Sequence, residues 1–231
     1  MRYVFSDIHG EYDLFSRLLE KIRLSSSDTV YVLGDVIDKG ERSLKTLRLV
    51  AEMPNVKMIL GNHEEMFLKY YRSLMAEKSD FDLILERLRA YFPVDGNLLD
   101  FELMDFLEAL PYYIKEKDFI CVHAGLPVDS EGKLLPPEKV APEILLNDRK
   151  FKEPSLRHKS PECVFFGHTQ TNGICGCDKI LVYPRDKAQP AKSVSDYYKI
   201  HLDTGAWCNG TLGCFCIDTL KASYINKIKI I

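Results

Sequence analysis

Tyr3-Val4-Phe5-Ser6-Asp7-Ile8-His9-Gly10, Thr29-Val30-Tyr31-Val32-Leu33-Gly34-Asp35-Val36-Ile37-Asp38 and Val56-Lys57-Met58-Ile59-Leu60-Gly61-Asn62-His63-Glu64 repeat one pattern. A short apolar run rich in β-branched and aromatic residues is followed at once by a turn that carries metal-ligand side chains. The runs read as strands over Tyr3–Phe5, Thr29–Leu33 and Val56–Leu60. Between them, Tyr12–Leu24 places Phe15, Leu18, Leu19 and Ile22 at helical spacing, and Leu44–Ala51 reads as a helix stopped by Pro54. Strand-helix-strand-helix-strand predicts parallel strands joined by right-handed crossovers, with a site at their carboxyl ends.

Further along, Phe67, Tyr71 and Leu74, then Leu85, Leu88 and Tyr91, then Asp100–Leu110, predict a helical layer over residues 64–110. Phe119–Val122 is a strand that delivers His123. Residues 126–161 hold six of the eleven prolines and read as an ordered loop over the sheet. Cys163–Phe166, Lys199–Leu202, Cys214–Ile217 and Ser223–Ile231 read as strands of a second sheet packed on the first. The expected class is α/β, a single domain over residues 1–231.

The chain has 231 residues, 46% hydrophobic and 28% charged, enough apolar mass for a large core. A net charge of -3 argues against a general nucleic-acid partner but not against an anionic substrate, since bound dications reverse the local sign of an Asp-rich site. Met1-Arg2 leads straight into the first strand, so no secretory leader is expected, and no apolar run approaches a membrane span. Seven cysteines imply no disulfide framework, and a cytoplasmic setting is expected.

Asp7, His9, Asp35, Asn62, His123 and His168 supply carboxylates, imidazoles and one amide, a donor set suited to two divalent ions side by side. If strand conformation persists, Asp7 and His9, two apart, point to one face. Taken singly, Asp7 or Asn62 could cap a helix, and His123 or His168 could be hydrogen-bonded core histidines. Their ordered recurrence at strand ends favours metal. Cys175, Cys177, Cys208, Cys214 and Cys216 invite a zinc reading, but the i,i+2 spacing favours ordinary thiols. His201 reads as a core or supporting histidine, His158 as a solvated loop residue, and Trp207 as lining the mouth of the site.

Asp7-Ile8-His9-Gly10, Gly34-Asp35-Val36-Ile37-Asp38-Lys39-Gly40, Gly61-Asn62-His63-Glu64, His123-Ala124-Gly125, Gly167-His168-Thr169 and Leu202-Asp203-Thr204-Gly205-Ala206 together resemble the calcineurin-like metallophosphoesterases, phosphoprotein phosphatase branch. The resemblance implies a sandwich of two mixed sheets flanked by helices. It implies Asp7, His9 and Asp35 on one ion, and Asp35, Asn62, His123 and His168 on the other. The mixed nitrogen and oxygen donors admit manganese, iron or zinc, with manganese the expected activator in vitro. It implies in-line attack of a metal-activated hydroxide, protonation of the leaving oxygen by His63, and orientation of that imidazole by Asp38. Lys39 stands where relatives carry a phosphate-clamping arginine, and Leu60 where they often carry another, while Arg149 could supply a distal guanidinium. The expected substrate is a phosphomonoester on a phosphorylated protein or small molecule, with dinucleoside polyphosphates as the alternative. A noncatalytic scaffold is a third reading, disfavoured because His63, Asp38 and all six ligand candidates are present.

Overall fold

The structure, a computed structural model, describes residues 1–77, 80–91 and 101–228. Its first half runs β1 (Arg2–Phe5), α1 (Tyr12–Ile22), β2 (Thr29–Val32), α2 (Ser43–Ala51), β3 (Val56–Met58), α3 (Asn62–Ala76), α4 (Phe81–Tyr91) and α5 (Phe101–Glu108). Its second half runs β4 (Tyr113–Lys115), β5 (Phe119–Val122), α6 (Pro142–Asn147), β6 (Cys163–Phe166), α7 (Asn172–Cys175), β7 (Leu181–Pro184), β8 (Tyr197–His201), β9 (Thr211–Cys216) and β10 (Lys221–Asn226). The Leu85 and Tyr91 side chains, Asp100, and the end of the expected last strand at 229–231 lie outside the described residues.

Two five-stranded sheets result, one in the order β10-β9-β1-β2-β3 and the other β4-β5-β6-β8-β7. In the first, β1, β2 and β3 are parallel and β9 and β10 antiparallel. In the second, β5, β6 and β8 are parallel, and β4 and β7 are antiparallel edges. Both sheets are therefore mixed, as expected.

Strand periodicity sorts each run between two faces. Val4, Tyr31, Leu33, Phe119, Cys121, Cys163, Phe165, Ile200 and Phe215 point inward and form the core between the sheets. Tyr3, Phe5, Val30 and Val32 point to the other face of their sheet and pack on Leu14, Phe15 and Leu18 of α1, Leu44 and Leu47 of α2, and Phe67 and Leu68 of α3. Ile120, Val122, Val164 and Phe166 face outward from the second sheet and are covered by Leu126, Leu134, Val140, Leu145 and Phe151. The proline-rich stretch is thus a third apolar layer, and it contains α6, absent from the sequence reading. Lys199, fully buried in β8, donates its ammonium to the carbonyls of Phe151 and Glu153 (2.7 Å to the latter), tying this layer to the sheet. Burial, with help from Arg157, lowers the Lys199 pKa to about 7.

β4 and β7 were not foreseen. Both are short edge strands with solvent-facing residues, Lys115 in one and Val182 (43% exposed) in the other. Their conformation comes from pairing with β5 and β8 rather than from local alternation. Pro184 is accommodated because β7 is an edge, with a register shift at Tyr183/Pro184. Among the described residues, no helix is long and apolar enough to cross a membrane.

Candidate active site

The carboxyl ends of β1, β2, β3, β5 and β6 converge, and the chain turns sharply after each. β1 stops at Phe5. Asp7 (φ 52°) and His9 (φ 48°) then adopt left-handed backbone, so the strand does not persist through them and alternation does not set their directions. Asp35, Asp38, Lys39 and His168 are left-handed too (φ 54°, 69°, 67° and 69°). Among the described residues, six of the eight non-glycine residues with positive φ therefore belong to this one region. Such conformations cost on the order of 1–3 kcal/mol each and persist where surrounding contacts over-determine them.

One such contact set is centred on Glu64. Its buried carboxylate accepts N–H groups from Asp35 (2.7 Å), Gly61 (2.9 Å), Val36 (2.8 Å) and Ile37 (3.1 Å). Glu64 is the third residue of α3, so its bond to the Gly61 N–H is half of a capping box, and the same side chain fixes the Asp35 turn. The two turns press together: a Cβ on Gly34 would lie 2.2 Å from the Gly61 nitrogen. Burial and the nearby Asp35 raise the Glu64 pKa, opposed by the backbone donors. The sequence reading gave Glu64 no role. Its signal was present, a glutamate at the third position of a helix that opens on a site motif.

Asn62 and His63 occupy the first turn of α3. The His63 N–H donates to Asp35 Oδ1 at 3.0 Å, so a helix amino terminus faces the buried carboxylate. Asp35 is the hub. Its Oδ2 lies 3.4 Å from His123 Nε2, 3.6 Å from His9 Nε2 and 3.8 Å from His63 Nε2. Against the opposing effect of burial, His123, His9 and His63 hold its pKa well below the carboxylate range.

Two groups of potential ligand atoms share Asp35: His9, Asp35 and His63, and Asp35, His123 and His168, each within 4.8 Å. Asn62 Oδ1 joins the second, 2.9 Å from both His123 Nε2 and His168 Nδ1. The chemistry of this second group fits a cation. His123 Nδ1 is 2.7 Å from the Leu33 carbonyl, to which it donates, so Nε2 faces two oxygens, those of Asp35 and Asn62. Two oxygens converging on one ring nitrogen favour positive charge there, supplied by a proton on Nε2 or by a metal ion in its place. The electrostatics agree: burial alone would lower the His123 pKa, yet Asp35 raises it to about 10. His168 is lowered to about 3 by burial and by the His123 charge, and its Nε2 is buried with no hydrogen-bond partner among the described residues.

Asp7 stands beside these groups. It accepts the His168 N–H (3.0 Å to Oδ2) and the Ser6 hydroxyl, which binds the β1 turn to the β6 turn. A Cβ on Gly167 would lie 2.1 Å from Asp7 Oδ2, so this approach requires glycine. Burial raises the Asp7 pKa against the attraction of His123. Asp203 is buried nearby, its pKa pushed well up by burial and by Asp7, and it accepts the Gly205 N–H at 3.0 Å.

His63 Nδ1 and Asp38 Oδ2 are 2.6 Å apart. Burial pushes the His63 pKa down, but Asp38 and Asp35 prevail and it lies above the ordinary value, while the same contact lowers Asp38. The exposed Lys39 reaches His9 Nε2 at 3.3 Å. Leu60, by contrast, is buried in the helical-side core, facing away. Arg149 is exposed at the edge of a cavity of about 560 Å³ lined by Leu126, Pro127 and Phe151, and its charge contributes to lowering His168.

His158 is buried, not solvated, with ring nitrogens 2.7 Å from the Tyr198 carbonyl and 3.2 Å from that of Ser160. Its place between Arg157 and Lys159 misled, because the loop folds onto β8. His201 is a buried core residue stacked on Phe166 at 4.3 Å. Among the described residues, neither ligand group contains a cysteine. Trp207, 45% exposed, lines a cavity beside Gly10 and Lys39, at the mouth of the site.

With this geometry in hand, the family model for calcineurin-like phosphoesterases matches residues 3–189. A symmetrical bis(5'-nucleosyl)-tetraphosphatase from Aggregatibacter actinomycetemcomitans is 34% identical over 131 residues, 55% of this chain and 45% of that protein. One from Dechloromonas aromatica is 34% identical over 126 residues, 54% of this chain and 43% of that protein. The chain thus spans about half the length of the curated relatives it matches. A metallophosphoesterase structure from Sphaerobacter thermophilus aligns with a TM-score of 0.61 at 18% identity, over 98% of this chain and 88% of that one.

Proposed function

The chain belongs to the calcineurin-like phosphoesterase family, and from that premise we propose that it is a metal-dependent hydrolase that splits dinucleoside tetraphosphates symmetrically into two nucleoside diphosphates. The observation that carries the substrate class is the similarity to symmetrical tetraphosphatases over more than half of this chain. This reverses the order of the sequence reading, in which a phosphorylated protein came first and dinucleoside polyphosphates second. The missing guanidinium at Leu60 and the lysine at position 39 point the same way, since both remove the forked phosphate clamp of the protein phosphatases.

In this reading Asp7, His9 and Asp35 hold one divalent ion, and Asp35, Asn62, His123 and His168 hold a second. When bound, such ions supply Lewis-acid charge against the phosphoryl oxygens and lower the pKa of the attacking water toward ~7. The mixed nitrogen and oxygen set suits manganese, iron or zinc, with manganese the activator to use in vitro. The protein supplies the rest. Asp38 Oδ2 lies 2.6 Å from His63 Nδ1, which orients Nε2 toward the site and raises the imidazole pKa above its ordinary value. His63 Nε2 then donates its proton to the departing phosphate oxygen. Lys39, 3.3 Å from His9 Nε2, and Arg149, whose charge acts on His168, supply positive charge for the phosphate chain. A reducing cytoplasm, where nucleotides are found and thiols stay free, is the setting that suits this activity.

The test is turnover of diadenosine tetraphosphate, nitrophenyl phosphate and a phosphoserine peptide side by side with manganese. The expected result is ADP as the sole nucleotide product and a kcat/KM for the tetraphosphate at least about tenfold above that for the peptide. Faster turnover of the peptide, or AMP and ATP as products, overturns the proposal.

A further inference from the structure

Trp207 is the sole tryptophan of the chain and is 45% exposed, although its neighbours Thr204, Gly205 and Ala206 are buried. It stands on a tight turn that the structure holds firmly. The Gly205 carbonyl accepts the Asn209 N–H at 2.8 Å, the Asn209 amide donates to Asp178 at 2.8 Å, and the Lys227 N–H donates to the Gly210 carbonyl at 2.7 Å. The indole is therefore presented by a built platform.

The platform forms one wall of a cavity of about 380 Å³, within the range of small-molecule sites. Gly10, Glu11 and Lys39 also line it, and Lys39 is the residue that reaches His9 Nε2 at 3.3 Å. The cavity is thus continuous with one end of the ligand groups. Its charges are unlike those of a phosphate pocket. Lys227 is paired with Glu11 at 2.7 Å and Arg42 with Asp13 at 2.6 Å, and Glu41 adds a further carboxylate. Phosphates are favoured at the Lys39 end, beside the metal ligands. The carboxylates and the aromatic face favour a flat, uncharged ring bearing an amino group.

We propose that this cavity is a nucleoside subsite: the base of one substrate arm stacks on the Trp207 indole, its exocyclic amine faces the carboxylate wall, and Lys39 receives the adjoining phosphates. The assignment rests on the dinucleoside polyphosphate reading above and adds to it where one of the two arms lies. Base–aromatic stacking tolerates phenylalanine in place of tryptophan and is lost with alanine.

The single tryptophan gives a direct readout. Manganese-loaded full-length protein is titrated with ADP, adenosine and pyrophosphate, following indole fluorescence. Calorimetry then compares ADP with pyrophosphate on wild type, Trp207→Phe and Trp207→Ala. The expected result is saturable quenching by ADP and not by pyrophosphate. Trp207→Ala weakens ADP by about tenfold and pyrophosphate by less than about twofold, and Trp207→Phe keeps ADP within about threefold. Equal quenching by ADP and pyrophosphate, or ADP affinity unchanged in Trp207→Ala, overturns the subsite even if the enzyme cleaves diadenosine tetraphosphate. Selective ADP quenching by a protein that cleaves no dinucleoside tetraphosphate upholds the subsite and overturns the reaction. Quenching by a phosphoserine peptide at lower concentration than by ADP overturns the nucleoside assignment.

Discussion

Replacing Glu64 by glutamine keeps the shape of the side chain and removes half of its accepting capacity. One carboxylate oxygen accepts the N–H groups of Val36 and Ile37, the other those of Asp35 and Gly61. The amide NH₂ of glutamine accepts neither of the two it faces, so two donors in a fully buried place meet a third donor. Hydrogen bonds to a charged group contribute about 1.5–3 kcal/mol each, so the gross loss is about 3–6 kcal/mol. Part of this is offset, because burial and Asp35 already disfavour the carboxylate in the folded state. A net loss of about 2–4 kcal/mol is expected, which lowers Tm by roughly 5–15 °C for a chain of this length. Circular dichroism melts should be run on chelator-treated protein and again with excess manganese. Since Asp35 hangs on the same turn, the rise in Tm that metal gives will also be smaller in Glu64→Gln. A variant that melts within about 2 °C of wild type in both states refutes the claim that this carboxylate holds the turn.

His63 stands geometrically among the ligand atoms, yet its assigned role is proton donation. In His63→Ala, metal analysis will find two ions still bound while turnover of diadenosine tetraphosphate falls on the order of 10²–10⁴-fold; loss of an ion instead would make His63 a ligand. Asp38 raises the His63 pKa, and a general acid works only while protonated, so the rate falls as pH rises through that value. Asp38→Asn removes the partner and moves the alkaline limb of the kcat–pH profile to lower pH; an unmoved limb assigns it to another group. Lys199, at about 7 when folded against an ordinary value of ~10.4, binds more protons unfolded, so its contribution to stability rises with pH between those values. Urea midpoints of wild type minus Lys199→Met will rise by the equivalent of up to about 1 kcal/mol per pH unit over that window, and a flat difference contradicts the burial argument.

The strands that carry the centre were legible because buried parallel strands need continuous apolar runs, and Phe119–Val122 and Cys163–Phe166 offer little else. The helices α1 and α2 were legible from their apolar spacing. β4 and β7 were not, since short edge strands take their conformation from a neighbour far away in sequence. α6 escaped because a one-and-a-half-turn helix opened by Pro142 leaves too few residues for a period. At the centre, residue types revealed which chemistry is available but not the backbone that aims it. Asp7 and His9 are aimed by left-handed backbone, a feature alternation in a strand cannot foretell. Glu64, Ser6 and Asp203 went unassigned because each acts on backbone or on another carboxylate, and neither leaves a ligand-like signature. His158 was misjudged for the opposite reason: charged neighbours in sequence say nothing about the layer a loop folds onto.

The left-handed stretches of the centre also bear on how this protein can be improved. At Asp7, His9, Asp35, Asp38, Lys39 and His168, glycine would relax the chain and delete the chemistry in one stroke. Selection for heat resistance alone would therefore drift toward a hardier, inert molecule. Arg23 and Leu220 share the awkward backbone but lie at the end of α1 and between β9 and β10, away from the histidines. Those two positions are where an engineer can begin without blunting the enzyme.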